Sequence, residues 1–240
     1  MGATLTARER ARAELVTEIK DAARRQLGEV GAPALSLRAV ARDLGMVSSA
    51  IYRYFPSRDD LLSALIVDAY DSLGDAAERA EAKAHKAGAD PGTRWLATCR
   101  AVRVWALANQ HEFALIFGSP VPGYRAPQDT VQPAARIPLL MAGILAEAVR
   151  AGLLHPPRRP LPQPPLIEPE LLAEQGPFPP ELRDLVERSI TMWVALIGTI
   201  TFELFGHLHK TVSDYRGYFD RAMVVAAEAV GLDIDLPPPT

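Results

Sequence analysis

The chain has 240 residues, a formal net charge of −3, 48% hydrophobic and 23% charged residues, and a mean hydropathy of +0.02. That is the balance of a globular protein long enough for one large domain, or for a small domain joined to a larger one. Cys99 is the single cysteine, so no internal disulfide can form. No apolar run is expected to approach the roughly 18 residues that a bilayer span requires. The opening MGATLTARERARAELV lacks the apolar core and cleavage site of a secretory leader. A cytoplasmic location is therefore expected. Residues 1–60 carry 10 Lys and Arg against 8 Asp and Glu, a balance of +2, and the remainder has a balance of −5. This asymmetry permits nucleic-acid binding through one end without indicating it by itself.

In chain order, Leu15, Ile19, Ala22, Ala23, Leu27 and Val30 recur at helical spacing and predict a first helix that ends at Gly31 and Pro33. Two short apolar segments follow at 37–44 and 48–54. Pro56 then precedes a long helix over 58–86, with Ser57 as its N-cap and Asp59 and Asp60 in the first turn, where the helix dipole favours negative charge. Residues 93–109 have a helical pattern. Pro and Gly break GSPVPGYRAP at 118–127 into a loop. A helix fits 130–151, with Pro138 expected to kink it or delay its start. Ten of the 21 prolines fall in 156–180, which predicts polyproline II or an irregular loop, with room for a turn of helix at Glu170–Glu174. Two more helices are predicted at 181–209 and 213–231. No strand alternation or repeat is visible, so the fold class is all-α.

The informative stretch is SLRAVARDLGMVSSAIYRYFPS, Ser36–Ser57. Two short helices crossing steeply through a tight turn form a helix-turn-helix, and each position has a requirement. The turn needs a residue able to go left-handed, supplied by Gly45. The crossing needs a small residue, supplied by Ala41. The core needs apolar groups, supplied by Leu37, Val40, Leu44, Met46, Ile51 and Tyr54. Ser36 and Ser48 are placed as N-caps. With Ile51 and Tyr54 turned inward, Ser48, Ser49, Ala50, Tyr52 and Arg53 face outward. Small residues let the helix enter a major groove closely, and serine hydroxyls can meet base edges or phosphates. Tyr52 and Tyr54 can donate to phosphate, Arg53 and Arg58 add flanking charge, and Arg38 reaches a phosphate or a guanine edge. Tyr54 is expected to keep its ring inward and its hydroxyl outward.

These residues resemble the DNA-binding domain of the TetR family over residues 12–66. The resemblance rests on LRAVARDLGMVSSAIYRYFPSRDDLLSAL, with Tyr52 and Phe55 three apart, then Pro56-Ser57 and Arg58 opening a long helix. Many members have histidine where this chain has Tyr54. HEFALIFGSPVPGYRAP and ELFGHL are similar to one subgroup of TetR C-terminal domains. The resemblance implies a three-helix DNA-binding domain over residues 1–58, with helix 58–86 as linker. It also implies a C-terminal domain over 59–240 for effector binding and dimerisation, and repression as the common mode.

Elsewhere the residues allow several uses. Trp95, Trp105, Phe113, Phe117, Tyr124, Met141, Leu145 and Trp193 can line an apolar effector pocket or form ordinary core. Trp193, Ile197, Ile200, Leu204, Phe219, Met223, Ala226 and Val230 suit an isologous four-helix interface between two copies. His207 and His209 lie two apart on a predicted helix and so face away from each other, which argues against a shared metal. Cys99 is placed as a core residue. No carboxylate pair, nucleophile or phosphate loop is evident, so neither an enzyme nor a cofactor is expected. The reading is a homodimer that releases a palindromic duplex operator on binding a small apolar or aromatic effector. A constitutive DNA binder and a protein-interaction module remain as alternatives.

Overall fold

Thr6 starts helix α1 (Ala7–Val30) with a capping box: its hydroxyl accepts from the Glu9 backbone N–H at 3.2 Å, and the Glu9 carboxylate accepts from the Thr6 N–H at 2.7 Å. The computed structural model describes residues 6–155, 159, 161–162, 166–168 and 184–236. Most of the proline-rich segment, including the expected turn at Glu170–Glu174, lies outside the described residues. Among those described, the only strand-like feature is an isolated bridge between Leu154 and Leu232. The molecule is all-helical.

Helices α2 (Leu37–Asp43) and α3 (Ser48–Ile51) follow, and then α4 (Arg58–Lys86). As expected, Ser57 starts α4: its N–H donates to the Asp60 carboxylate at 2.8 Å while its Oγ accepts from the Asp60 N–H at 3.1 Å. Helix α5 spans Pro91–Ala108, and α6 spans Gln110–Phe117, a helix the sequence pattern had not separated from its surroundings. Helix α7 (Val131–Arg150) runs through Pro138. The helix thus starts early and continues past a residue that contributes no N–H. Helices α8 (Leu185–Leu204) and α9 (Tyr215–Glu228) complete the order. Because α8 ends at Leu204, His207 and His209 lie in turns and not on a helix.

The chain forms two compact units, Met1–Ser72 with Asn109–Ala134, and Leu73–Ala108 with Ala135–Thr240. The sequence placed a boundary at residue 58, but the first unit extends into α4 and takes in α6. Its core contains Ile19, Ala23, Val40, Ile51, Leu61 and Leu62, all fully buried. The buried face of α1 ends at Leu27, and Val30 is exposed. Arg24 bonds Asp68 at 2.5 Å and lies 3.7 Å from Glu112 of α6, while the Tyr70 ring meets Phe117 edge-on at 6.0 Å. These side chains attach α6 to α1 and α4.

In the second unit, α5, α8 and α9 bury Trp95, Cys99, Val102, Leu196, Ile200, Phe219 and Met223. Arg103 bonds Glu203 at 2.5 and 2.7 Å and lies 5.5 Å from the Phe219 ring centre, and Arg100 bonds Asp220 twice at 2.8 Å. By length and composition α8 is apolar enough to cross a bilayer, contrary to expectation. Its Met192, Leu196 and Ile200 are buried inside this unit, and its Glu203 is held by Arg103.

Two arginines tie α4 to its neighbours in this unit. Arg94 of α5 is buried and bonded to Glu81 of α4 and Glu147 of α7. Burial opposes its charge, but the hydrogen bonds that it donates to Glu147 and Glu81 more than compensate and raise its pKa; the bond to Glu147 lowers the pKa of that carboxyl. Arg136 of α7 bonds Glu78 at 2.9 and 2.7 Å and Asp75 at 2.5 Å. Its guanidinium rests on Gly74, where a Cβ would stand 2.7 Å from Nε and 2.8 Å from Cζ. Glycine is therefore the seat for Arg136.

Two expected outcomes follow from this packing. Gly→Ala inside a helix ordinarily stabilises by about 0.5–1 kcal/mol. Here Gly74→Ala displaces Arg136 from its carboxylates, so thermal unfolding should show no gain, whereas the same change in an Arg136→Ala background should recover it. Burial pushes the Cys99 thiol well above its ordinary pKa. The native chain should therefore resist a thiol reagent that reacts once denaturant is added.

Candidate nucleic-acid interface and ligand cavity

The turn between α2 and α3 is closed by backbone bonds and one glycine. Gly45 has φ +65°, the left-handed conformation the sequence reading assigned to it. Met46 N–H donates to Ala41 O at 2.8 Å, and the Ala41 side chain is fully buried where α2 meets α3. Leu37, Val40 and Ile51 are buried, with Leu44, Met46 and Tyr54 packed against them at the edge. After Ile51 the helix tightens: Arg53 N–H reaches Ala50 O at 3.2 Å and Tyr54 N–H reaches Ile51 O at 2.9 Å. The second short helix is thus one α-helical turn continued by tighter turns through Tyr54.

This geometry leaves Arg38, Ser48, Ser49 and Arg53 exposed, Tyr52 41% exposed, and Ala50 half-buried. Tyr54 is half-buried, with the Arg12 guanidinium 5.2 Å from its ring centre. Arg12 also donates to Arg53 O at 3.4 Å, so an α1 side chain secures the end of the short helix.

The structure changes three assignments. Val47, not Ser48, occupies the N-cap position of α3. Ser36 is the N-cap residue of α2 but makes no side-chain cap bond; its backbone N–H donates instead to the buried Gln26 side chain at 2.8 Å. Gln26 sits on the apolar face of α1, and a polar residue at such a position is the signal that could have identified it. Arg58 was expected at the DNA flank, but its guanidinium donates to the carbonyls of Ala32 at 2.8 Å and Pro33 at 3.1 Å. It closes a short 3₁₀ turn against the start of α4, which gives it a structural task.

In the second unit a cavity of about 270 Å³ is lined by Trp95 of α5, Pro138, Met141, Ala142 and Leu145 of α7, and Ser189, Ile190, Met192 and Trp193 of α8. Trp95, Met141, Leu145 and Trp193 from the expected pocket therefore come together. Trp105 is buried but does not line this cavity. Phe113, Phe117 and Tyr124 belong to the first unit, where Phe113 and Phe117 rings lie 5.1 Å apart and the Tyr124 hydroxyl bonds Ser63 Oγ at 2.9 Å. Helical periodicity shows that a side chain is inward but not toward which core, and α6 folds back into the first unit. A larger groove of about 520 Å³ runs past Glu81, His85, Lys86, Arg94 and Glu147. It is open to solvent, and its arginine is already paired.

The expected dimer face also divides. Ile200, Phe219, Met223, Ala226 and Val230 are buried within the protomer, while Trp193, Ile197 and Leu204 are half-buried. The apolar residues turned outward are Val194, Phe202 and Phe205 on and just beyond α8, with Tyr218 and Val225 on α9, while the exposed Ile190 also lines the cavity. The wide apolar face of α8 is thus two faces, one spent on α5 and α9 and one left open.

Comparison with known proteins agrees with this architecture. A family model described as bacterial regulatory proteins, tetR family, matches residues 19–65, and one described as tetracyclin repressor-like, C-terminal domain, matches residues 95–226. HTH-type transcriptional regulators of Mycobacterium tuberculosis and Mycobacterium bovis are 41% identical over 202 residues, spanning 82% of this chain and 83% of theirs. A crystal structure of the regulatory protein SCO4313 superposes with a TM-score of 0.69 at 33% identity, covering 92% of this chain and 98% of that one. A TetR family transcription regulator from Marinobacter aquaeolei VT8 shares the fold at a TM-score of 0.61 and 16% identity, over 92% of this chain and 98% of its own. With a helix-turn-helix at one end and a matching helical domain at the other, the chain belongs to the TetR family of bacterial transcriptional regulators.

Proposed function

We propose that the protein is an effector-responsive repressor, acting in the cytoplasm as a homodimer on a palindromic operator. The observation that carries the DNA-reading part is the exposure of Arg38, Ser48, Ser49, Tyr52 and Arg53 on one helix-turn-helix whose inward residues are buried. In this reading Ser48 and Ser49 approach base edges, Tyr52 and Tyr54 bond phosphates, and Arg38 and Arg53 neutralise the backbone or meet guanine. Two copies present two such elements to successive major grooves, about 34–36 Å apart. The open apolar residues of α8 and α9 supply the surface for the second copy, since an isologous four-helix contact buries the same patch on both partners.

The cavity between α5, α7 and α8 is the effector site in this reading. Helix α7 lines it through Pro138, Met141, Ala142 and Leu145 and also carries Arg136 and Glu147, which reach α4 directly and through Arg94. An effector that shifts α7 therefore acts on α4, the helix that begins beside the helix-turn-helix. Coupling of about 1–3 kcal/mol suffices for a useful response and is reciprocal, so DNA weakens effector binding by the same factor. A binding selection with DNA from upstream of the protein's own and neighbouring genes tests the function directly. Retention of no fragment would remove the repressor reading.

Three substitutions separate reading from folding. Arg38→Ala and Tyr52→Ala should weaken duplex binding, by about 1–3 kcal/mol for a bidentate base contact, and leave thermal unfolding unchanged. Arg58→Ala should instead lower the unfolding temperature, because two carbonyls lose their donor. For assembly, Val194 and Val225 are 61% and 66% exposed. Val194→Glu combined with Val225→Glu should give a monomer by light scattering with operator affinity much reduced; an unchanged dimer would place the interface elsewhere.

A further inference from the structure

The cavity between α5, α7 and α8 has a chemical selectivity beyond its apolar character. None of its nine lining residues is charged: Trp95, Pro138, Met141, Ala142, Leu145, Ser189, Ile190, Met192 and Trp193. The one hydroxyl, Ser189 Oγ, donates to Val186 O at 2.7 Å within its own helix. The Trp95 indole N–H is buried without a partner among the described residues.

Three charged groups that lie near this wall in sequence are already engaged. Arg94, next to Trp95, is held by Glu81 and Glu147. Arg188, next to Ser189, donates to Asp184 at 2.8 Å and to Ala229 O at 3.2 Å. Glu147, two residues after Leu145, is the same carboxylate that holds Arg94. A ligand carboxylate drawn to Arg94 or Arg188 would have to take it from its carboxylate partners, and a ligand ammonium drawn to Glu147 would have to take it from Arg94. Arg94 and Asp184 are buried, so either exchange weakens the pairing of a buried charge, and an ion without a counter-charge is strongly disfavoured in such surroundings.

We propose that this cavity admits uncharged ligands and excludes ions, so that it distinguishes the neutral form of a small aromatic or alkyl molecule from an ionised molecule of the same skeleton. The proposal rests on the reading of this cavity as the ligand site. It makes a weak acid a ligand only in its protonated form, and a weak base only in its deprotonated form. The unpaired Trp95 N–H favours a neutral ligand carrying a single acceptor oxygen.

Calorimetric titration of the full chain with naphthol, naphthoate and naphthylmethylammonium tests this, with Ala142→Phe as a variant that fills the cavity. Near neutral pH, naphthol should bind about tenfold or more tighter than either ion, consistent with desolvation of the charge. Naphthoate affinity should rise as the pH falls and its protonated fraction grows. Ala142→Phe should abolish the naphthol signal while preserving the thermal transition. An ion binding as tightly as naphthol, and losing its signal in Ala142→Phe, overturns the selectivity but leaves the cavity as the ligand site. Naphthol binding that Ala142→Phe leaves intact overturns both. Absence of naphthol binding at its solubility limit overturns the proposal as well.

Discussion

Helix α4 is the element on which both halves of this protein depend, because one continuous helix contributes side chains to two separate cores. Leu61, Leu62 and Leu65 are buried around the helix-turn-helix, and Leu73 and Ala77 are buried further along. Between these groups, Asp68 is held by Lys20 and Arg24. From Gly74 onward, Gly74, Asp75, Glu78 and Glu81 receive Arg136 and Arg94. The carboxylates of α4 therefore serve different cations along its length. Ion pairs of this kind add little stability where they are exposed, but they restrict how neighbouring helices can slide.

The same economy appears at several buried or half-buried polar side chains. Gln26 serves the backbone at the start of α2, Arg58 serves two carbonyls of the 3₁₀ turn, and Arg103 serves Glu203 between α5 and α8. Buried polar groups without partners are costly, so each becomes a fixed point of the packing. Residues left outside that scheme, notably Arg38, Tyr52 and Arg53, are the ones whose side chains are free to face solvent or a ligand.

The aromatic residues sort by the same logic. Their periodicity marks Trp95, Phe113 and Phe219 alike as inward, and all three are fully buried. Phe113 enters the core of the first unit, Trp95 borders a cavity, and Phe219 lies under Arg103. Three similar local signals produce three surroundings, because each surrounding is assembled from helices remote in sequence. For α8 the consequence is larger: an apolar face too wide for one neighbour is divided between the protomer's own core and an open surface.

By itself the sequence determined the turn of the helix-turn-helix, because the requirements of that turn are local. Gly45 must turn left-handed, Ala41 must be small, Ile51 must face inward, and the bonds that close the turn join residues at most five apart. It likewise determined the end of α1 at Gly31, the start of α4 at Ser57, and Cys99 as a core position, since capping and periodicity act within a few turns. Only the tertiary structure decided that α6 joins the first unit, that Arg58 faces its own chain, and that Trp95, Met141, Leu145 and Trp193 share a cavity which Phe113 and Tyr124 do not. Those outcomes depend on contacts between segments tens of residues apart, where helical periodicity records burial but carries no information about the partner.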